Sequence, residues 1–221
     1  MDDDNNSVNQ VFAKGFNFYK VFWIFMLGCF LGDVHEVALH FLKHGEFVVR
    51  RGVIYGPLNP VYGFGAALFF IAMYRMKNST HIFLIGGIIG GTFEYLCSFI
   101  QEHVFGTISW DYSNYFLNIE GRTSIFHIIC WGLLAILFVK YVMPFAERTI
   151  EKLPKKFGTV FTWCVVVFMI FDMAISAIAS RRQFERHEGY LPRNYFEQKI
   201  DEIYTDERLK MVYQNTMEVK K

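Results

Sequence analysis

Residues 81–100 read HIFLIGGIIGGTFEYLCSFI, a mostly apolar run that contains one carboxylate and no lysine or arginine. A helix of about 20 residues is long enough to cross the hydrocarbon core of a bilayer, which is roughly 30 Å thick. This stretch therefore predicts a membrane-spanning helix with Glu94 in its interior.

Four more long apolar runs accompany it, at residues 16–41, 58–76, 124–143 and 160–179. The second of them begins in Gly56-Pro57-Leu58-Asn59-Pro60, which is compatible with a broken or re-entrant entry into the membrane. The pattern predicts an all-α, polytopic membrane helix bundle with about five transmembrane helices. Its expected parts are an acidic N-terminal tail (residues 1–13), a transmembrane domain (14–180) and a charged, helical C-terminal tail (181–221).

The charges balance overall, with 22 Lys and Arg against 21 Asp and Glu. This balance argues against a nucleic-acid-binding protein, which would normally carry a basic excess. The four cysteines lie in apolar runs without a C-x-x-C pair, so we expect packing residues and no disulfide framework. The tail carries a weak apolar stripe, which fits either a helix facing the membrane or a partner, or a solvated tail. The stripe consists of Phe196, Ile200, Ile203 and Met211.

Several carboxylates lie inside the predicted spans. Asp33 and Glu36 belong to the first span, Glu94 to the third and Asp172 to the fifth. A carboxylate at the centre of a span costs several kcal/mol unless it faces a partner or water. We therefore expect these acids, contributed by three helices, to face the interior of the bundle.

The third span shows how such a face is built. Its small and polar residues recur at three- and four-residue steps and so lie on one side of a helix. These residues are Gly87, Gly90, Gly91, Glu94, Ser98 and Gln101. The glycines predict close helix packing, because small residues let two backbones approach. For Glu94 we expect a functional or an essential structural role.

Two loops on the same predicted side of the membrane are dense in polar and turn residues, at residues 50–65 and 110–122. Arg51 and Arg122 are expected to pair with the intramembrane acids or with a substrate anion. Glu36, His40 and His44 are spaced along one helical face, but no matching Cys or His set follows. The sequence thus predicts neither a metal site nor a cofactor.

The order of these motifs resembles the CmpB-like family of ABC-transporter type IV membrane proteins. The residues that carry the resemblance are Gly32 with Glu36, Arg51-Gly52, Tyr55-Gly56-Pro57, Pro60-x-Tyr62-Gly63-Phe64-Gly65, Glu94-Tyr95, Glu102, Trp110-Asp111-Tyr112-Ser113, Asn118-Ile119, Gly121-Arg122, Trp131-Gly132 and Asp172. The resemblance covers about residues 28–172 and implies a multi-pass permease component in the cell membrane. It does not imply a settled activity.

The intramembrane acids, the two arginines and the polar residues of these motifs form the predicted substrate-binding or intramembrane polar site. It comprises Glu36, Arg51, Tyr55, Asn59, Tyr62, Glu94, Glu102, Trp110, Asp111, Tyr112, Asn118, Arg122 and Asp172.

Three functions are compatible with such a chain. A transport component is favoured by the family resemblance, and it would act in the lipid bilayer, with assembly as a homo-oligomer expected. No G-x-x-x-x-G-K-[ST] motif occurs, so an ATPase would have to be a separate subunit. One alternative is a non-catalytic membrane scaffold, in which the buried charges hold the helices together. The other is an intramembrane enzyme acting on a lipid or lipid-linked substrate.

Overall fold

The computed structural model describes residues 11–214 and 217–218. Seven helices account for most of this described part: α1 (Phe18–His44), α2 (Pro60–Met73), α3 (Ser79–Phe105), α4 (Ile125–Ile150), α5 (Lys155–His187), α6 (Tyr195–Ile203) and α7 (Asp206–Val212). Four two-residue strands form two small antiparallel pairs: β1 (Thr107–Ile108) with β4 (Met217–Glu218), and β2 (Asn118–Ile119) with β3 (Thr123–Ser124). The predicted all-α bundle is confirmed.

Four helices, α1, α3, α4 and α5, are long and apolar enough to cross a membrane. The second predicted span differs, because α2 has only 14 residues and rises roughly 21 Å at 1.5 Å per residue. Apolar side chains cover the outside of the bundle; Ile88, Leu133 and Val167 are each more than half exposed. Such a surface fits lipid, since only a few polar groups interrupt it.

The segment that precedes α2 runs down inside the bundle. The Asn59 N–H donates to the Cys29 carbonyl oxygen over 2.9 Å, and Cys29 lies 15 residues before the end of α1 at His44. Residues 45–59 therefore descend about 22 Å along α1, given the helical rise of 1.5 Å per residue. The side chains of Val53, Ile54 and Leu58 are buried. This descending segment therefore crosses the part of the bundle that α2 is too short to cross.

The glycines of α3 form a close seam with α4, as predicted. A Cβ atom added at Gly86 would lie 2.2 Å from Ala135 Cβ, and one at Gly90 would lie 2.5 Å from Trp131 Cγ. On the α4 side of the same contact, a Cβ atom added at Gly132 would lie 2.7 Å from the Phe83 carbonyl oxygen of α3. Only glycine fits where two backbones approach this closely.

The C-terminal tail folds back onto the bundle. Ile200, Leu209 and Val212 are buried against Ile54 and Ala179. Of the predicted stripe, Ile200 is therefore covered by the chain itself, while Phe196, Ile203 and Met211 remain exposed.

Ion pairs clamp this tail to the end of α5. The Arg182 side chain, 3% exposed, donates to Glu185 Oε2 over 2.6 Å and to Asp201 Oδ2 over 2.7 Å. Arg186 Nη1 donates to Asp201 Oδ1 over 2.6 Å. Hydrogen bonds from Arg182 and Arg186 hold the pKa of Asp201 below its usual range, although burial alone would raise it.

Candidate functional site

A cavity of about 960 Å³ lies at the end of the bundle where residues 50–65 and 106–124 meet. The C-terminal halves of α1, α3 and α5 and the first turns of α2 and α4 surround it. The tail also contributes Tyr213, which forms a backbone bridge with Arg50. Both loops that the sequence placed on one side of the membrane thus line the same cavity.

Glu94 is the buried carboxylate of this cavity, with 8% of its surface exposed. Its Oε1 accepts a hydrogen bond of 3.1 Å from the Tyr112 hydroxyl, and its Oε2 accepts one of 2.8 Å from the Thr123 hydroxyl. Burial and the neighbouring Glu94 carboxylate raise the pKa of Tyr112, so this phenol remains a donor. Among the described residues, no ion pair involves Glu94.

The loop that carries Tyr112 is held in shape by two polar side chains. Asp111 Oδ1 accepts from the Ser113 hydroxyl and N–H over 2.5 and 2.8 Å, and these bonds lower the pKa of Asp111. Asn118 donates to the carbonyl oxygens of Ser113 and Tyr115 and accepts from the Gly121 N–H. Asp111 and Asn118 therefore position Tyr112 without lining the cavity themselves.

The second acid of the cavity, Glu36, already has a cationic partner. Its Oε2 lies 3.3 Å from Arg50 Nε, and its Oε1 accepts a short hydrogen bond from the Tyr62 hydroxyl. The Tyr62 ring packs on Gly32, where an added Cβ would lie 2.2 Å from Tyr62 Cγ. Close packing of α1 on α2 thus brings Tyr62 to Glu36.

Asp172 and Ser176 of α5 bind the backbone of the descending segment. Asp172 is fully buried, and its Oδ1 accepts from the Tyr55 N–H over 3.1 Å. The Ser176 hydroxyl oxygen accepts from the Ile54 N–H over 2.9 Å. Non-helical backbone within a membrane protein needs such partners for its N–H groups. These two contacts satisfy that need, and Arg51 Nη1 adds one to the Ile54 carbonyl oxygen at 3.3 Å.

Arg122 binds away from the cavity. Its Nη2 donates to Glu102 Oε2 over 2.6 Å, and its Nη1 donates to Ser98 Oγ over 3.3 Å. Trp110 Nε1 donates to the backbone oxygen of Arg122 over 2.9 Å. This cluster ties the loop at residues 106–124 to the end of α3.

The predicted site residues divide into two groups. Those that line the cavity are Glu36, Arg51, Asn59, Tyr62, Glu94, Trp110 and Tyr112. Those outside its lining are Tyr55, Glu102, Asp111, Asn118, Arg122 and Asp172.

Among the lining residues that the predicted site did not include are Arg50, His127, Trp131 and Tyr213. His127 is an ionisable residue at the start of a span, which is a signal that sequence inspection can use. Tyr213 comes from the distant tail and leaves no such local signal. Among the described residues, no group of three or more His, Cys, Asp or Glu side chains is arranged to hold a metal ion.

Comparison with known proteins gives one family. The family model described as "Putative ABC-transporter type IV" matches residues 23–177, which is more than half of the chain. Searches of curated proteins and of solved structures find no match. The matched range includes α1 from Trp23 onward, α2 to α4, the cavity loops and the α5 residue Asp172. The chain, with four helices able to span a bilayer, is a membrane protein and belongs to this ABC-transporter type IV family.

Proposed function

We propose that the protein is a transport component that binds a polar solute in the cavity around Glu94. The observation that carries the proposal is a cavity of about 960 Å³ lined by buried charge. Binding sites of this size usually combine apolar walls with a few polar groups, and this lining has both. A buried carboxylate in a span is costly, so an intramembrane acid is a functional-site hypothesis by default.

The lining residues and the residues behind them have different roles in this proposal. Glu36, Glu94 and Arg51 would face the solute. Asp172 and Arg122 would support the two loops, because their hydrogen bonds go to the descending backbone and to Glu102. Substitution of the first group should change solute handling, whereas substitution of the second should first change stability.

Energy and assembly are expected to come from other chains. The sequence contains no phosphate-binding P-loop, so we propose that a separate ATPase subunit drives transport. Assembly as a homo-oligomer in the cell membrane fits the small number of spans.

The test compares cells that express the wild-type protein, the Glu94→Gln variant or no protein. Small molecules inside the cells and in the medium are profiled by mass spectrometry, which requires no prior choice of substrate. We expect the wild type to shift the distribution of at least one polar solute and Glu94→Gln to abolish that shift. Equal membrane levels of both proteins are verified by immunoblot.

The matched control is Glu147→Gln. Glu147 is also a span glutamate, but it lies at the opposite end of the bundle, 3.8 Å from Lys20. It should leave the solute shift unchanged. A Glu94→Gln protein that inserts normally and shifts the same solutes as the wild type would refute the proposal.

A further inference from the structure

We propose that the cavity selects a small organic cation of the quaternary ammonium type, with Glu94 as its counter-ion. The walls for the cation would be the rings of Tyr112, His127 and Trp131. This inference rests on the proposed function, because it names the class of solute that the cavity would hold.

Acids outnumber guanidinium groups in the interior at this end of the bundle. Four span carboxylates lie there, Asp33, Glu36, Glu94 and Asp172, together with Arg50 and Arg51. Asp33 lines a neighbouring cavity and Asp172 binds the Tyr55 N–H, so neither belongs to the lining of the large cavity. Lys43 and Glu188 also line the cavity, but both are solvent-exposed and opposite in sign. The interior therefore holds two more acids than guanidinium groups.

Neither arginine pairs with Glu94 in the described part of the chain. Arg50 pairs with Glu36 at 3.3 Å. Arg51 lines a neighbouring cavity together with Asp33 of α1, and its Nη1 donates to the Ile54 carbonyl oxygen over 3.3 Å. Among the described residues, Glu94 is left with neutral donors: the hydroxyls of Tyr112 and Thr123 and the indole N–H of Trp131. A cationic solute would supply the missing charge in a site where burial makes an unpaired carboxylate expensive.

Aromatic rings surround this carboxylate. The Tyr112 ring stacks on His127 with a centroid distance of 3.6 Å, and Tyr115 meets His127 at 4.9 Å. Trp131 packs on Gly90, which lies one helical turn before Glu94 on the same face of α3. Cation–π attraction to such rings is the usual means by which proteins recognise quaternary ammonium groups.

Other classes of solute fit less well. An anion would meet the carboxylate of Glu94, and Arg50 is already paired with Glu36. A bare metal ion would need several oxygen ligands. The described residues offer no group of three candidate ligands, and both Glu94 oxygens accept protein hydrogen bonds.

The experiment measures binding of choline to the purified full-length protein in lipid nanodiscs by isothermal titration calorimetry. The matched probe is 3,3-dimethyl-1-butanol, which has the shape of choline but a carbon in place of the charged nitrogen. Sodium chloride at equal concentration serves as the ionic-strength control. We expect choline to bind at least about 10-fold more tightly than the neutral isostere, because only the cation gains the contact to Glu94 and the rings.

The variants add a second test. Glu94→Gln should weaken choline binding by about 30-fold, as expected when one partner of a buried charge pair is removed. Glu147→Gln should bind choline as the wild type does. The comparison of choline with its isostere needs no variant, so it decides the matter even if Glu94→Gln does not fold.

Absence of choline binding, or equal binding of choline and the neutral isostere, would overturn the inference. Solute profiling separates this failure from failure of the proposed function. A Glu94-dependent shift of a neutral or anionic solute would leave transport standing and refute cation selection. Choline binding that depends on Glu94, without any shift of solutes in cells, would support the cation site and refute the transport role.

Discussion

The substitution Gly90→Ala is the sharpest test of how close packing of α3 on α4 positions the cavity. The added Cβ would lie 2.5 Å from Trp131 Cγ, 2.6 Å from its Cβ and 2.7 Å from its Cδ2. Ordinary carbon–carbon contacts are about 3.5–4.0 Å, so roughly 1 Å of displacement is required. The contacted atoms are at the root of the Trp131 side chain, where rotation gives little relief. The two helices must therefore separate or Trp131 must change rotamer.

The size of the effect is best measured against Gly65→Ala. Gly65 is also a buried helical glycine, but its added Cβ would find nothing closer than Phe93 Cε1 at 3.6 Å. Both substitutions gain helix propensity of similar size, about 1 kcal/mol at most, so this term cancels between them. The overpacking cost of about 1–3 kcal/mol remains for Gly90→Ala alone. We expect the free energies of unfolding of the two variants to differ by that amount.

Reversible unfolding in mixed detergent micelles, followed by circular dichroism as the SDS fraction rises, measures this difference. Gly90→Ala should unfold at a lower SDS fraction than Gly65→Ala, and the smaller side chain of Trp131→Leu should restore part of the loss in the double variant. Choline binding should weaken in Gly90→Ala as well, because Trp131 is displaced from the cavity. If both glycine variants unfold at the same SDS fraction, the close contact at Gly90 does not exist and the argument for Trp131 as a wall fails.

Two further predictions concern the supporting residues. Asp172→Leu should destabilise the protein by about 1–3 kcal/mol more than Asp172→Asn, because leucine leaves the half-buried Tyr55 N–H without its acceptor. SDS unfolding measures this difference, and equal losses would contradict it. The docked tail should loosen on acidification, because the pKa of Asp201 is lower in the folded than in the unfolded state. Its stabilisation is complete above the unfolded pKa of about 3.9 and is lost as the pH falls through the folded value. Hydrogen exchange of α6 and α7 should therefore accelerate below about pH 4. The acid-induced change should be smaller in the Asp201→Asn variant. Exchange rates that do not depend on pH, after correction for intrinsic rates, would contradict this role of Asp201.

What the sequence predicted well depends on local periodicity. Glu94 and the glycines of α3 recur at helical spacing, so their common face follows from the geometry of one helix. Gly86 and Gly90 indeed contact α4, and Glu94 faces the cavity. The cost of a carboxylate among apolar residues is likewise readable from one sequence, because it depends only on where the spans lie. The candidate acids could therefore be named before any contact was known.

The partners of those acids depend on the path of the loops, which periodicity does not report. Arg50 and Arg51 are adjacent in sequence and equal in charge, yet Arg50 reaches Glu36 while Arg51 turns to the Ile54 carbonyl oxygen. The descent of residues 45–59 along α1 produces this difference, because it places Ile54 and Tyr55 against α5. Whether Glu94 has a protein cation beside it is thus decided by folding of a segment with no regular pattern. Sequence alone does not show whether a protein cation compensates the charge of Glu94. Once the contacts of each arginine are known, Glu94 has no such partner in the part of the chain that the structure describes, and this is the physical reason to expect a cationic solute.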